Sequence, residues 1–312
     1  MNTIPNRLVF SEVLLENAIK DRDIVVVCSD SRGSSMLTGF AEQLPKQFVE
    51  VGIAEQSLVS VAAGLASCGK KVYAVSPASF LTTRSLEQIK VDVAYNNCNV
   101  KLIGVSGGIS YGALGITHHS TQDIANTASI AGLRVYIPSD RYQTRILFQH
   151  LINDCQPAYI RMGRNAVEDV YSESNLPFCM DKATTVQDGT DVTIIACGEM
   201  VSPAKKAGEI LLQKGISARV IDMYCIKPID SKAVMKAVKE TKVILTIEEH
   251  SVYGGMGTLV GQITGATNPI PVINMALPDE VVIAGNSKEV FNHYGLNTEG
   301  IILKILERLD NE

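Results

Sequence analysis

The stretch Phe48–Leu81, FVEVGIAEQSLVSVAAGLASCGKKVYAVSPASFL, contains two valine-rich segments with a longer run of small apolar residues between them. The segments Phe48–Val49 and Val72–Val75 show little alternation of polar and apolar residues, which is typical of strands buried on both faces. Gln56–Cys68 has the apolar spacing of a helix. Strand, helix and strand in this order predict a parallel β-α-β unit.

The same alternation of strands and helices continues on both sides of this unit. Ahead of a weakly patterned segment, the predicted strands are Ile24–Cys28, Val100–Val105, Arg134–Ile137 and Ala158–Ile160, and the predicted helices are Phe10–Lys20, Ser85–Asn96 and Tyr142–Asn153. After it, the strands Val192–Ala196, Ala218–Asp222 and Val243–Ile247 alternate with the helices Pro203–Lys214, Ser231–Thr241 and Met256–Thr264. We therefore predict an α/β fold of two consecutive domains, 1–168 and 189–312, each a mainly parallel sheet with helices on both faces. A linker is predicted over 169–188.

The composition is that of a globular protein with a mildly acidic charge. Of 312 residues, 46% are hydrophobic and 20% are charged, and the formal net charge is −5. An acidic chain lacks the positive field that nonspecific nucleic-acid binding needs, so we expect no nucleic-acid partner. We expect no membrane association either, because no apolar run reaches the length of a spanning helix. The seven cysteines form no C-x-x-C pair, which argues against a zinc knuckle and favours reduced thiols in a cytoplasmic protein.

The segment Gly52–Gln56 puts Glu55 between a predicted strand and a predicted helix. A carboxylate at such a position commonly does no more than interact favourably with the helix dipole. The surrounding residues favour a catalytic role. Val51–Gly69, Tyr73–Leu81 and Arg84–Ile89 together resemble the pyrimidine-binding domain of the transketolase family, in which a G-[IV]-x-E segment precedes a T/S-F-L segment.

The resemblance implies contacts with the cofactor thiamine diphosphate for four residues. In the family the Glu contacts N1′ of the aminopyrimidine and the Phe stacks on that ring, and these roles carry over to Glu55 and Phe80. A carboxyl beside N1′ favours the tautomer that takes the proton from the thiazolium, which is acid–base work for a partly desolvated group. Ile53 is implied as a further cofactor contact. Asp30, at the end of a predicted strand, matches a family Asp near the thiazolium.

The glycine-rich segment Gly104–Ala125 resembles the family's G-P-T-H-Q loop, whose His faces the substrate. His118 takes that position, so the resemblance implies hydrogen bonding to the ketose and proton transfer. A metal site at His118 and His119 is disfavoured, because adjacent histidines point apart and no further ligand lies at metal spacing. Counting back from His118, the family's His and Asp that contact sugar phosphates are replaced by Ser106 and Leu114. We therefore expect a substrate other than the ordinary pentose phosphates.

Three polar residues match anion-binding positions of the family: Arg7, Ser34 and Arg161. An arginine fork suits a phosphate, a sulfonate or a carboxylate. Surface ion pairing is the alternative for both arginines. Arg164 is close enough in sequence to share the role of Arg161.

The chain has no G-D-G segment followed by Asn-Asn, with which the family binds the cofactor diphosphate and magnesium. Since a carboxylate is needed to hold Mg²⁺ against phosphates, the resemblance implies that an N-terminal partner subunit supplies this half of the site, in an α2β2 assembly. The segments from Thr193–Val201 to Glu248–Gly257 resemble the family's C-terminal domain. For His250, a role in the site and an ordered structural role both stay open.

The resemblance as a whole implies the C-terminal subunit of a split transketolase, which moves a two-carbon ketol unit from an anionic ketose to an aldose. A subunit of a deoxyxylulose-phosphate-synthase-like ligase, or of a 2-oxo-acid dehydrogenase, has the same architecture and stays open. A noncatalytic scaffold subunit is the alternative from another class. The set of Glu55, Phe80 and His118 argues against it.

Overall fold

Two β-sheets with helices packed against them make up residues 2–310, which the computed structural model describes. The first sheet contains β1 (Ile24–Cys28), β2 (Phe48–Glu50), β3 (Lys71–Pro77), β4 (Val100–Val105), β5 (Arg134–Tyr136), β6 (Ala158–Met162) and β10 (Cys225–Lys227). The second contains β7 (Thr184–Gln187), β8 (Val192–Ala196), β9 (Ala218–Asp222), β11 (Val243–Ser251) and β12 (Val272–Leu277). The predicted α/β class with two consecutive, mainly parallel sheets is confirmed.

The helices lie between the strands along the chain. They are α1 (Asn6–Ala18), α2 (Thr38–Gln43), α3 (Glu55–Ser67), α4 (Ala78–Arg84), α5 (Leu86–Gln88), α6 (Asp123–Ala128), α7 (Arg141–Ile152), α8 (Val201–Gln213), α9 (Ser231–Glu240), α10 (Met256–Thr267), α11 (Ser287–His293) and α12 (Thr298–Leu309). The single helix predicted over Ser85–Asn96 differs from the structure, because α5 is followed by a π-helical segment at Ile89–Tyr95. Across residues 2–310, no helix is both long enough and apolar enough to span a bilayer.

The first sheet has the strand order β10-β5-β6-β4-β3-β1-β2. Its neighbours are parallel except for β10, which runs antiparallel to β5. Every residue of β1, β4 and β6 is buried, as expected for strands covered by helices on both faces. The carboxyl ends of these parallel strands meet at one edge, which is where open α/β sheets bind ligands.

The second sheet has the order β12-β11-β8-β9-β7, and β7 runs antiparallel to β9. The linker predicted over 169–188 therefore differs from the structure in its last part, since Thr184–Gln187 belongs to this sheet. The two sheets do not correspond to two separate halves of the chain. The strand β10 follows β9 in sequence but belongs to the first sheet, where it pairs with β5.

A buried carboxyl at the end of β9 connects the two halves of the chain. Asp222 Oδ2 accepts hydrogen bonds from Ser139 Oγ at 2.9 Å, Gln143 Nε2 at 2.8 Å and Tyr171 Oη at 2.8 Å. Asp222 Oδ1 is buried and has no hydrogen-bond partner. Burial raises the pKa of Asp222 to about 7. Ser139 and Gln143 belong to the first half, so this contact fixes the second domain against the start of α7.

Candidate active site

Glu55 is the first residue of α3, and its side chain is 4% exposed. The turn before the helix is held by Glu50 Oε1, which accepts hydrogen bonds from the backbone N–H groups of Asp30 at 2.8 Å and Gly52 at 3.0 Å. Gly52 has a φ of 74°, a conformation that glycine adopts without strain. A cavity of about 530 Å³ lies in front of the carboxylate, lined by Ile53, Glu55 and Arg84 among others. The local fold thus aims a nearly buried carboxylate at open space.

Phe80 lies on α4, and Arg84 at the end of the same helix connects it to Glu55. The Arg84 guanidinium carbon is 4.2 Å from the centre of the Phe80 ring. Arg84 Nη1 donates a hydrogen bond to Glu55 Oε2 at 3.1 Å. A flat group with N–H donors therefore lies between the carboxylate and the aromatic face, which are the two groups that the sequence predicts as contacts of the aminopyrimidine.

Glu55, Arg84 and Phe80 form a row of side chains, and His118 extends it. Its ring is edge-on to Phe80, with ring centres 5.2 Å apart, and edge-on to Tyr111, with ring centres 5.5 Å apart. His118 Nδ1 lies 2.9 Å from Thr117 Oγ1. The predicted catalytic residues Glu55 and His118 are thus both connected to Phe80, Glu55 through Arg84 and His118 through the edge-on ring contact.

Beyond Tyr111 the row ends in two arginines. The Arg164 guanidinium carbon lies 4.9 Å from the centre of the Tyr111 ring, and Tyr111 Oη donates to Ser34 Oγ at 3.2 Å. Arg7 Nε donates to the backbone oxygen of Arg164 at 2.9 Å, and Arg7 Nη1 donates to the backbone oxygen of Ser34. Burial lowers the pKa of Arg7, and the charge of Arg164 lowers it further. Arg164 Nη1 is buried without a hydrogen-bond partner. Two cations held together with a free donor form a site that an anion would stabilise.

Arg161, which the sequence predicts as a third anion-binding group, is engaged elsewhere. Its side chain is 4% exposed, and Nη2 donates to the backbone oxygen of Glu249 at 2.7 Å. It is also paired with the carboxylates of Glu249 at 3.3 Å and Asp123 at 3.6 Å. Burial lowers the pKa of Arg161, but the two carboxylates raise it by more, so the net shift of the pKa is upward. The Arg161 guanidinium thus connects the two domains, and the guanidinium that lies in the row is that of Arg164.

The second domain holds the loop that carries Tyr111 and His118. Glu249 Oε1 accepts from the backbone N–H of Ile109 at 2.6 Å, and Ser287 Oγ donates to the backbone oxygen of Ile109 at 3.1 Å. The backbone N–H of Gly285 donates to the oxygen of Gly112 at 3.1 Å. A Cβ at Gly112 would lie 2.2 Å from Gly285 O, so this approach requires glycine. Three contacts from one domain therefore fix the glycine-rich loop of the other.

The other residues named in the sequence analysis differ in their exposure to solvent. Ile53 is 75% exposed beside Glu55, and Asp30 is exposed at the end of β1. Ser106 is buried, and its Oγ has no hydrogen-bond partner, whereas Leu114 is 54% exposed. The structure does not bring Leu114 into the row of side chains.

His119 and His250 are both buried and contact backbone groups. His119 is buried with Nε2 3.2 Å from the backbone oxygen of Gly112, and burial lowers its pKa. His250 is fully buried, and its Nε2 accepts from the backbone N–H of Ala125 at 3.3 Å, near the start of α6. His250 Nδ1 lies 2.8 Å from the backbone oxygen of Ser251. In residues 2–310, no group of three or more His, Cys, Asp or Glu side chains is arranged to hold a metal ion.

Comparison with known families decides the assignment. Residues 2–169 match the model of the transketolase pyrimidine binding domain, and residues 181–301 match that of the transketolase C-terminal domain.

The chain belongs to the transketolase family.

Individual transketolases match the chain over nearly its whole length. A subunit of the apulose-4-phosphate transketolase of Phocaeicola vulgatus is 52% identical over 306 residues, covering 98% of this chain and 98% of the relative. The 6-deoxy-6-sulfo-D-fructose transketolase subunit of Clostridium sp. strain MSTE9 is 34% identical over 94% of this chain and 91% of the relative. A split-gene transketolase, solved as an inactive β4 tetramer, superposes with a TM-score of 0.88 at 33% identity, covering 97% of this chain and 98% of that chain. Deoxyxylulose-phosphate synthases are more distant, at 30–31% identity over 47–48% of their length.

Thiamine diphosphate is the cofactor of transketolases, and the row of side chains fits its aminopyrimidine end. Arg84 shows that a flat group with N–H donors has room to contact Glu55 and Phe80 together. Neither Arg84 nor Tyr111 is among the residues that the sequence pattern points to as site residues. The sequence offers one signal for each of them. Arg84 lies in the segment Arg84–Ile89, which resembles the family, and Tyr111 is an aromatic residue in the glycine-rich segment Gly104–Ala125.

Proposed function

We propose that this chain is the C-terminal subunit of a two-subunit, thiamine-diphosphate-dependent transketolase that moves a two-carbon ketol unit from an anionic ketose to an aldose. One observation carries the proposal. A continuous row of side chains runs from Glu55 and Phe80, through His118, to the paired Arg7 and Arg164. A cofactor-contacting end and an anion-binding end thus belong to one site.

Each residue of this row has its own role in the proposed reaction. Thiamine diphosphate supplies the carbanion chemistry and the electron sink for breaking a carbon–carbon bond beside a carbonyl. Glu55 holds a proton at N1′ of the aminopyrimidine, and Phe80 and Ile53 fix the plane of that ring by stacking and apolar contact. His118 hydrogen-bonds the oxygen atoms of the ketose and moves a proton there. Asp30 lies on the thiazolium side.

The anionic end of the ketose binds at Arg7, Arg164 and Ser34. Bidentate guanidinium contacts suit both phosphate and sulfonate groups. The names of the relatives from Phocaeicola vulgatus and Clostridium sp. carry a phosphate and a sulfo group, respectively. We therefore propose a phosphorylated or sulfonated ketose as the donor.

The other half of the site belongs to a partner. The chain has no G-D-G segment for the diphosphate, so we propose that an N-terminal subunit supplies it together with Mg²⁺, in an α2β2 complex. The inactive β4 form of the split-gene transketolase supports the need for a partner. Seven cysteines, all free, favour the cytoplasm as the place of action.

Glu55→Gln in the reconstituted two-subunit complex tests the proposal. The amide keeps the shape of the side chain but cannot hold a proton for N1′, so we expect kcat to fall by at least about 100-fold. Exposed Glu87→Gln, at the surface of α5, is the matched control and should leave the activity unchanged. Formation of the product ketose without release of CO₂ is the assay, since CO₂ release would indicate a decarboxylating ligase. Unchanged turnover by Glu55→Gln would refute the role of Glu55.

A further inference from the structure

Tyr111 lies in the row between His118 and Arg164, and the proposed function gives it no role. Its ring contacts both His118, with ring centres 5.5 Å apart, and the Arg164 guanidinium, 4.9 Å from the ring centre. Its hydroxyl donates to Ser34 Oγ at 3.2 Å. The side chain is therefore held at three points, all of them groups assigned above to the substrate.

The backbone beneath Tyr111 is held as firmly as the ring. Two residues earlier, the backbone of Ile109 bonds to Glu249 at 2.6 Å and to Ser287 at 3.1 Å. One residue later, the oxygen of Gly112 accepts from Gly285 N–H at 3.1 Å. Because the loop backbone is fixed on both sides of Tyr111, the ring can make room for a larger substrate only by breaking its contacts with His118, Arg164 and Ser34.

The hydrogen bond to Ser34 has a further consequence for the anion. The Tyr111 hydroxyl donates its proton to Ser34 Oγ, which leaves the Ser34 proton free to donate to a ligand. Tyr111 thus bonds to a possible donor whose backbone oxygen also accepts from Arg7, while its ring lies between His118 and Arg164 in the row.

We propose that Tyr111 sets the length of the ketose that the enzyme accepts. This inference rests on the proposed function, because it takes His118 as the carbonyl end and the arginines as the anion end of the substrate. The carbon chain between these ends must pass the Tyr111 ring. Ketoses whose chain fits beside the ring react, and longer ketoses are excluded by the ring.

The test is a comparison of phosphorylated ketoses of five, six and seven carbons with the reconstituted two-subunit complex. Tyr111→Ala removes the ring, and we expect the ratio of kcat/KM for the seven-carbon ketose to that for the five-carbon ketose to rise about tenfold or more, since single-methylene differences are worth about 10–200-fold in a fitted site. Tyr111→Phe keeps the ring, so the ratio should stay within about twofold while KM rises for all phosphorylated ketoses through loss of the Ser34 contact.

Exposed Tyr95→Ala, in the π-helical segment, is the matched control and should change neither ratio nor KM. Thermal unfolding of each variant reports on folding separately, and a merely structural role would lower kcat/KM for every chain length by the same factor. An equal loss across chain lengths in Tyr111→Ala would overturn the inference. If the wild-type complex transfers no ketol unit from any ketose, the proposed function itself is wrong, which is a separate outcome.

Discussion

Asp222→Asn offers a sharp test of the contact between the two domains. Three donors converge on one oxygen of this carboxyl, while Oδ1 is buried without a partner. Burial raises the pKa to about 7 from the ordinary value of 3.8. A carboxyl with a raised pKa in the folded state binds its proton more tightly there than in the unfolded chain. Stability therefore falls as the pH rises from about 4 to about 7, and this contribution is constant at higher pH.

The size of the effect follows from the difference in pKa. A change from 3.8 to about 7 corresponds to about 4 kcal/mol at pH 8, which is an upper bound because the surroundings relax around a buried charge. Asparagine resembles the protonated carboxyl, since its oxygen accepts the same three bonds and its NH₂ takes the place of the proton at Oδ1. We therefore expect the variant to exceed the wild type in stability by up to about 2 kcal/mol at pH 5, where the carboxyl of the unfolded chain is already mostly ionised, and by up to about 4 kcal/mol at pH 8.

Calorimetric unfolding of both proteins between pH 5 and pH 8 is the assay. A gain of about 2–4 °C per kcal/mol is expected for a domain of this size. The exposed Asp279→Asn serves as the matched control and should show no gain that depends on pH. Burial also raises the pKa values of Glu199 and Glu249, but both residues are present in each protein and cancel in the difference. If the difference between Asp222→Asn and wild type did not change with pH, the ionised form of Asp222 would not be disfavoured and the reasoning would be wrong.

Three further substitutions separate the roles of the arginines. Arg84→Met removes the half-exposed ion pair with Glu55 and the contact over Phe80, which the aminopyrimidine would otherwise have to displace. The complex should therefore bind thiamine diphosphate about fivefold more tightly in a fluorescence titration, equivalent to about 1 kcal/mol. Weaker binding would show that Arg84 contacts the cofactor. Arg164→Met should raise KM for the anionic ketose at least about tenfold, with little change in thermal stability. Arg161→Met should chiefly lower the unfolding temperature, because it leaves the carboxylates of Asp123 and Glu249 without their partner. The reverse pattern in steady-state kinetics and calorimetry would restore Arg161 to the anion site.

The central strands are the part of the fold that the sequence predicts best. The bounds of β1, β4, β8 and β9 agree with the prediction, because buried parallel strands are continuous runs of β-branched residues between breaks in the pattern. The strand β11 is longer than predicted. Its last residues include Glu248 and Glu249, which resemble a loop in sequence but are buried, with Glu248 accepting from the backbone of Met256 and Gly257 at 2.7 and 2.8 Å. Partners supplied by other elements make these polar residues compatible with a strand.

In the candidate site, too, the sequence does not predict contacts with residues of other elements. Glu55, Phe80 and His118 can each be predicted from a local segment, and in the structure they belong to one row of side chains. The sequence does not tell Arg161 from Arg164, because the difference lies in Glu249, which is 88 residues away along the chain and reaches Arg161 only through the packing of the two domains. Contacts between distant segments have no local pattern, so burial of a charged residue is the feature that a single sequence predicts least well.

The strand β10 has a consequence for how this protein can be divided. It lies beyond β9 in sequence and yet pairs with β5 at the border of the sheet that carries the site, with Cys225 opposite Tyr136 and Lys227 opposite Val135. A fragment ending after residue 169 would lose this strand and present the backbone of β5 as an open edge, which favours pairing with other chains. The family models divide the chain at this place, but the polypeptide is not two separable modules: the second domain completes the first one's sheet as well as holding its loop.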